Sequence, residues 1–170
     1  MYTKYEIEKL FSKIMDKSYK ELSSSTKIYT NVKWTIGYSS PFNGNVYVDL
    51  SSINEHSFSK ESVIGLLAHE LAHQTSYRRR NFFKKWFFLW NYYFSINKRR
   101  AIEREADLIA IRRGYGKEIL AERKAQTKRL SNDNMKLKVL KKVYLSSKEI
   151  EELLKNIKVR SNKLFIFSFH

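Results

Sequence analysis

One short segment with two histidines and a glutamate is the clearest candidate in this sequence for a chemical role. The chain has four histidines, and two of them, His69 and His73, belong to one HExxH motif with Glu70. Because residues i and i+4 lie on one face of a helix, the two imidazoles can bind one metal ion together. Glu70 lies beside that face, where a carboxylate can accept a proton from an attacking water.

A second acidic segment can complete the site. Glu103 follows the motif, and Asp107 lies four residues further on. Both fall on a helix predicted from Lys98 to Arg113, which Gly114 ends as a C-cap. Glu103 can be a third ligand, and two His and one Glu with an open fourth position are typical of a catalytic zinc site.

HExxH followed by E-x-x-A-D resembles the gluzincin metallopeptidases over roughly residues 28 to 115. Within that group it is similar to the minigluzincins and to the soluble catalytic core of the CAAX prenyl endopeptidase and heat-shock membrane protease family. The resemblance implies one Zn²⁺ per chain, held by His69, His73 and Glu103, with Glu70 as the catalytic residue. It also implies that Asp107 orients a ligand histidine, whose second ring nitrogen needs a partner.

Two strands are predicted before the metal-binding helix, and they complete the expected fold. The run 32–38 alternates like a strand, the run 39–44 has turn chemistry, and 45–50 forms the second strand. We expect an α+β fold, mostly helical and zincin-like, with a small antiparallel sheet. By the resemblance, its edge strand (about 45–50) lies beside the HExxH helix and binds extended substrate main chain to main chain. The substrate-binding strand predicted in this way consists of Asn45, Val46, Tyr47 and Val48.

That strand has an alternative interpretation as an ordinary sheet hairpin. Larger relatives also use a downstream His, Tyr or Arg to stabilise an oxyanion, and no residue of this sequence clearly matches it. Arg112, Arg113 and Tyr115 are candidates by position, and the sequence does not choose among them.

Length and composition favour one domain over 1–170, with a core at about 28–115 and a helical C-terminal extension at about 116–170. The absence of cysteine excludes disulfides and thiolate metal sites. The first residues lack the layout of a signal peptide. We therefore expect a cytoplasmic protein, with peripheral membrane association as an option.

The net charge of +16 is large for 170 residues and favours acidic or anionic partners. Between Arg78 and Arg100 there are eight Lys or Arg and no acid, and a second basic tract runs from Arg112 to Lys142. Nucleic acid is one candidate partner, although aromatic stacking residues are not interleaved with the second tract. The alternative is a solvated surface.

The segment 81–97 is unusually aromatic and is too short to span a bilayer. Flanking Arg and Lys would suit a helix that lies in an anionic membrane interface. The alternative is a buried helix or a contact in a homo-oligomer.

The C-terminal tail, residues 163–170, is predicted to be a strand. In one interpretation it docks in the cleft and keeps the enzyme latent, with His170 or the terminal carboxylate near the metal. In the other it completes a sheet or covers the core.

The sequence therefore predicts a zinc-dependent metalloendopeptidase that acts on peptides or proteins through a metal-activated water. The alternative is a regulatory or nucleic-acid-binding module that retains zinc and hydrolyses little.

Overall fold

The computed structural model describes residues 1–22, 26–33 and 35–167, with side chains as far as Lys158. Eight α-helices and three short strands are found in these residues. The strands are β1 (Ile28–Tyr29), β2 (Gly37–Ser39) and β3 (Val46–Val48). The helices are α1 (Lys4–Ser18), α2 (Leu50–Glu55), α3 (Lys60–Arg78), α4 (Phe82–Phe94), α5 (Ile96–Ala110), α6 (Gly116–Arg129), α7 (Asn134–Val143) and α8 (Ser147–Phe167). The expected α+β, mostly helical fold is confirmed.

The two helices that carry the motif begin and end at local sequence signals. Ser59 caps α3 by accepting a hydrogen bond from the amide of Ser62, and Glu61 lies in the first turn. Helix α5 passes into a π-turn (Ile111–Tyr115) in which Gly114 has φ of 93°. Because L side chains rarely adopt this conformation, the glycine permits the turn to α6.

The sheet is mixed rather than antiparallel, and its strand order is β1-β3-β2. The predicted hairpin is present, since β2 and β3 pair antiparallel with Tyr38 opposite Tyr47. The sequence analysis missed β1, which pairs parallel with β3. The prediction of an edge strand at about 45–50 is therefore wrong, because β1 covers the free side of β3 and makes it central. Strand β2 is the edge that lies against α3.

The C-terminal half packs into the same core as the first half. Ile119, Leu145 and Ile150 are buried in one cluster with Leu67 and Val48. Helix α6 lies so close to α3 that a Cβ at Gly65 would be 2.1 Å from the carbonyl oxygen of Glu118. Residues 116–150 therefore help to hold α3 in place and are not a separate appendage.

The predicted strand at the C-terminus is wrong for residues 163–167, which continue α8. This helix begins at a capping box in which Ser146 and Glu149 exchange hydrogen bonds, as predicted. Once a helix is nucleated, each further residue adds a hydrogen bond, so the apolar run extends it instead of forming a new strand. The prediction for His170 lies outside the described residues.

Helix α4 corresponds to the aromatic segment 81–97. Only Phe88 of its 13 residues is buried, so the interpretation of this segment as a buried core helix is wrong. Within the described residues, no helix combines the length and the apolar character needed to cross a membrane.

Candidate metal centre

Helices α3 and α5 bring three predicted ligands to one point. The Nε2 atoms of His69 and His73 are 3.1 Å apart, and each lies 3.1 Å from Oε2 of Glu103. All three side chains are buried. A tetrahedral ion with bonds of about 2.0–2.1 Å separates its ligand atoms by roughly 3.3 Å. The group therefore has the donor types and the spacing to hold a metal ion.

The hydrogen-bonding state of His69 also favours a cation at this point. Asp107 accepts from Nδ1 of His69 at 2.9 Å. Burial raises the pKa of Asp107, but Arg123 and His69 outweigh it and hold the pKa below its usual value. An ionised carboxylate can only accept, so Nδ1 carries the hydrogen and Nε2 of a neutral ring presents its lone pair to Glu103. Facing acceptors repel each other unless a proton or a metal ion lies between them.

The pKa shifts of His69 and Glu103 arise from the close contacts between histidine and carboxylate side chains in this group. Burial lowers the pKa of His69, but its hydrogen bonds with Asp107 and Glu103 outweigh burial and hold the pKa well above its usual value. Burial raises the pKa of Glu103, but His73 and His69 hold it well below its usual value. The site thus favours positive charge between the imidazoles and the carboxylate, which either a proton or a metal cation can supply.

Asp107 connects the metal-binding helix to the C-terminal half of the chain. It is fully buried and accepts from Arg123 through both oxygens, at 3.0 and 3.1 Å. The amide of Leu145 donates to Oδ2 at 3.1 Å. Residues from α5, α6 and the α7–α8 connection therefore fix the carboxylate that holds His69. The sequence analysis missed Arg123, because nothing in its local pattern indicates this long-range contact.

Glu70 faces a cavity of about 160 Å³ that is also lined by His73 and Glu103. Burial raises the pKa of Glu70, and the neighbouring histidines lower it only in part. A Cβ at Gly37 would lie 2.7 Å from Oε1 of Glu70, so a larger residue at this position of β2 would displace the Glu70 side chain. Ser39 of the same strand donates to the carbonyl of Glu70 at 2.7 Å.

Aromatic side chains complete the wall of the cavity. The hydroxyl of Tyr92, from α4, donates to Oε1 of Glu103, the oxygen that does not face the histidines. Burial and Glu103 raise the pKa of Tyr92 well above its usual value, so the hydroxyl remains a donor. Tyr144 packs 5.7 Å from the ring of His69, and Arg99 also lines the cavity. The sequence analysis did not identify these three residues.

The remaining predicted site residues lie elsewhere. Val46 and Val48 of the predicted substrate strand are fully buried in the core, and Tyr47 stacks on Tyr29. Asn45 accepts from Gln74 through its carbonyl at 3.2 Å. The strand that lines the cavity is β2, through Gly37–Ser39.

The three oxyanion candidates are also remote from the cavity. Arg113 pairs with Glu21, and the hydroxyl of Tyr115 donates to Ser18. Arg112 lines a groove formed by α3 and α5 that does not include the metal ligands.

No protein family, curated protein or solved structure matches this chain.

Proposed function

We propose that this protein is a zinc-dependent metalloendopeptidase. One observation carries the proposal: the ligand atoms of His69, His73 and Glu103 lie within 4.8 Å of one another, and His73 and Glu103 line a cavity that Glu70 also lines. A structural zinc site is closed by four protein ligands, whereas three ligands beside a cavity leave a position for a reactant. The arrangement resembles the gluzincin metallopeptidases in its ligand types and motif spacing.

The proposed chemistry is hydrolysis of a peptide bond. Zinc held by the three ligands would polarise the scissile carbonyl and acidify the attacking water. Glu70 accepts the proton of that water and delivers it to the leaving amine. Its burial and raised pKa suit this role, because the group must both take and return a proton near neutral pH.

The surrounding residues have positioning roles in this proposal. Asp107 fixes the ring of His69, and Tyr92 fixes the carboxylate of Glu103 through its second oxygen. Strand β2 is an edge strand beside the cavity, so its free side is the place for an extended peptide to add as a further strand. Tyr144 and Arg99 are the candidates for stabilising the oxyanion, because both line the cavity.

The test is peptide hydrolysis by zinc-loaded wild-type protein and by Glu70→Gln, which keeps the size of the side chain. We expect the substitution to retain the metal and lower turnover by roughly 100- to 10,000-fold. Glu105→Gln is the matched control, because Glu105 is an exposed acid of α5 outside the cavity lining. Turnover retained in Glu70→Gln would overturn the proposed role.

A second candidate function is nucleic-acid binding by a protein that retains zinc and hydrolyses little. It is favoured by a groove of about 700 Å³ on α3 and α5, which has Glu105 as its only acidic lining residue. Its basic lining consists of Arg79, Arg80, Lys84, Arg104, Arg112 and Arg113. Salt-sensitive binding of DNA or RNA with no peptide cleavage by zinc-loaded protein would favour this function over the first.

A further inference from the structure

Helix α4 presents an aromatic face that nothing in the described residues covers. Seven of its aromatic side chains are exposed, each by 58% to 82%. With 3.6 residues per turn, all seven fall within an arc of about 140°. They are Phe82, Phe83, Trp86, Phe87, Trp90, Tyr93 and Phe94. We refer to these seven side chains as the aromatic face.

The exposed area of the aromatic face is larger than the apolar patches found on typical monomeric proteins. At about 200 Å² per aromatic side chain, the seven together expose on the order of 900 Å². The largest apolar patch on a typical monomer is about 300–600 Å². Phe42, in the turn between β2 and β3, extends the face by packing against Phe82 and Trp86 at 5.9 and 5.4 Å between ring centroids.

The opposite side of α4 packs against the rest of the protein. Phe88 packs edge-on against Tyr77 at 5.1 Å, and the guanidinium of Arg80 lies 4.2 Å from the ring of Phe88. Tyr92 on this side donates to Glu103. The orientation of the helix is therefore set by contacts with the protein, and these contacts turn the aromatic face outward.

Cations lie at both ends of α4 in the sequence, and no acid lies between Arg78 and Arg100. A cavity of about 330 Å³ between α4 and α5 has Phe87, Phe88 and Ile102 in its wall. Its cationic lining residues are Arg80, Lys84 and Lys98. This combination provides an apolar slot beside positive charge, which matches an acyl chain and its anionic headgroup.

We propose that α4 docks the protein on an anionic membrane surface, with the aromatic face in the boundary between headgroups and acyl chains. Aromatic side chains favour this boundary, and Lys and Arg near it are attracted to anionic lipids. A second copy of this chain is the less favourable occupant. It would bring two sets of the same cations together in a protein of net charge +16, with no acid in the segment to pair with them.

The docked orientation has a geometric consequence for the candidate metal centre. Helix α4 contributes Phe88, Leu89, Tyr92 and Tyr93 to the cavity wall, and Tyr93 is also part of the aromatic face. The aromatic face therefore extends to the rim of the cavity, and a docked membrane would lie beside the cavity.

The first test is flotation of the full chain with vesicles of phosphatidylcholine alone and with vesicles that contain a quarter phosphatidylserine. We expect flotation only with the anionic vesicles, and less of it as NaCl is raised and charges are screened. Trp86 and Trp90 are two of the three tryptophans, so quenching of their fluorescence by brominated lipid reports contact of α4 with the bilayer. Protein that stays unbound with both vesicles would overturn the proposal.

Variants separate the apolar and the ionic contributions. Phe83→Ser combined with Phe87→Ser should weaken binding to anionic vesicles about tenfold or more. The control is Tyr5→Ser combined with Met135→Ser, which removes two side chains that are 70% and 79% exposed outside α4. Equal loss in both pairs, or no loss in either, would overturn the role of the aromatic face.

A second double variant and its control test the ionic contribution by charge reversal. Lys98→Glu combined with Arg100→Glu should weaken binding about tenfold or more. Lys141→Glu combined with Lys142→Glu changes the net charge equally, on α7, and should weaken binding far less. Equal effects of the two pairs would show that only total charge matters and would contradict docking through α4.

Self-association is the competing outcome. If the wild type is a dimer in solution, if Phe83→Ser combined with Phe87→Ser makes it a monomer, and if neither binds vesicles, the occupant is a second copy and the membrane proposal fails. Vesicle binding requires neither a metal nor hydrolysis, so its failure is distinguishable from failure of the proposed peptidase function.

Discussion

Helices α3 and α4 follow each other in the chain, are both rich in apolar residues, and have opposite environments. In α3, 14 of 19 residues are buried, whereas in α4 only Phe88 is. Helices α1, α5 and α6 and strand β2 pack around α3, whereas α4 packs mainly on α5. The burial of a helix is therefore decided by the elements that surround it, and apolar content alone does not predict it.

The difference extends to the charged groups. His69, Glu70 and His73 of α3 are buried, and Asp107 of α5 holds His69 in place. The aromatic face of α4 is exposed, and the cations at the two ends of this helix belong to a segment, residues 78–100, that contains no acid. The first arrangement positions groups for chemistry within the protein, and the second leaves groups available for a partner outside it.

The largest predicted effect comes from breaking the buried network in which Asp107 contacts His69 and Arg123. Asp107→Ala leaves Arg123 buried without its carboxylate, which should lower the free energy of unfolding by about 3–5 kcal/mol. Denaturant unfolding measures the change. Asp16→Ala removes an exposed acid from α1 and should have little effect. Equal unfolding midpoints for wild type and Asp107→Ala would contradict the role assigned to this network.

Truncation of one apolar side chain in each helix compares the two environments directly. Leu67 of α3 is fully buried, so Leu67→Ala should lower the free energy of unfolding by about 2–5 kcal/mol. Phe83 of α4 is 82% exposed, and Phe83→Ala should change the free energy of unfolding by no more than about 0.5 kcal/mol. A large loss of stability from Phe83→Ala would mean that the aromatic face is covered by a part of this chain.

A single added methyl group tests the close approach of β2 to α3. Gly37→Ala places a Cβ against Glu70 and Leu66, which should cost about 1–3 kcal/mol of strain. We expect peptide hydrolysis to fall while the metal content stays near that of the wild type, because the displaced residue is the proposed base and not a ligand. Unchanged hydrolysis would contradict the placement of Gly37.

The smallest predicted effect concerns the hydrogen bond from Tyr92 of α4 to Glu103. Tyr92→Phe removes the hydrogen bond to Glu103 and should weaken zinc affinity about tenfold. Competition with a chelator of known affinity measures the change. Tyr5→Phe, which removes an exposed hydroxyl of α1, should leave the affinity unchanged. Equal affinity in wild type and Tyr92→Phe would show that α4 does not support the site.

The parts of the fold that the sequence predicts correctly depend on local signals. Caps at Ser59 and Ser146 and the glycine at 114 mark helix boundaries within a few residues. The spacing of His69 and His73 places both on one face of α3 through helix geometry alone. The proximity of Glu103 to these histidines was expected from the resemblance, and the fold brings the three together.

The parts that sequence reasoning missed depend on long-range packing. Arg123 reaches Asp107 from another helix, and Tyr92 reaches Glu103 because α4 folds back against α5. Strand β1, only two residues long, gives too short a pattern to be recognised, yet it makes β3 central and leaves β2 as the edge. The edge strand was therefore predicted in the wrong half of the hairpin.

We propose above all that α3 and α5 form a zinc site. Elemental analysis of purified wild-type protein and of His73→Ala tests it most directly. We predict about one zinc per chain in the wild type and its loss in the variant, because one of three ligands is removed. Wild-type protein that contains no zinc and takes up none when it is supplied would contradict the claim.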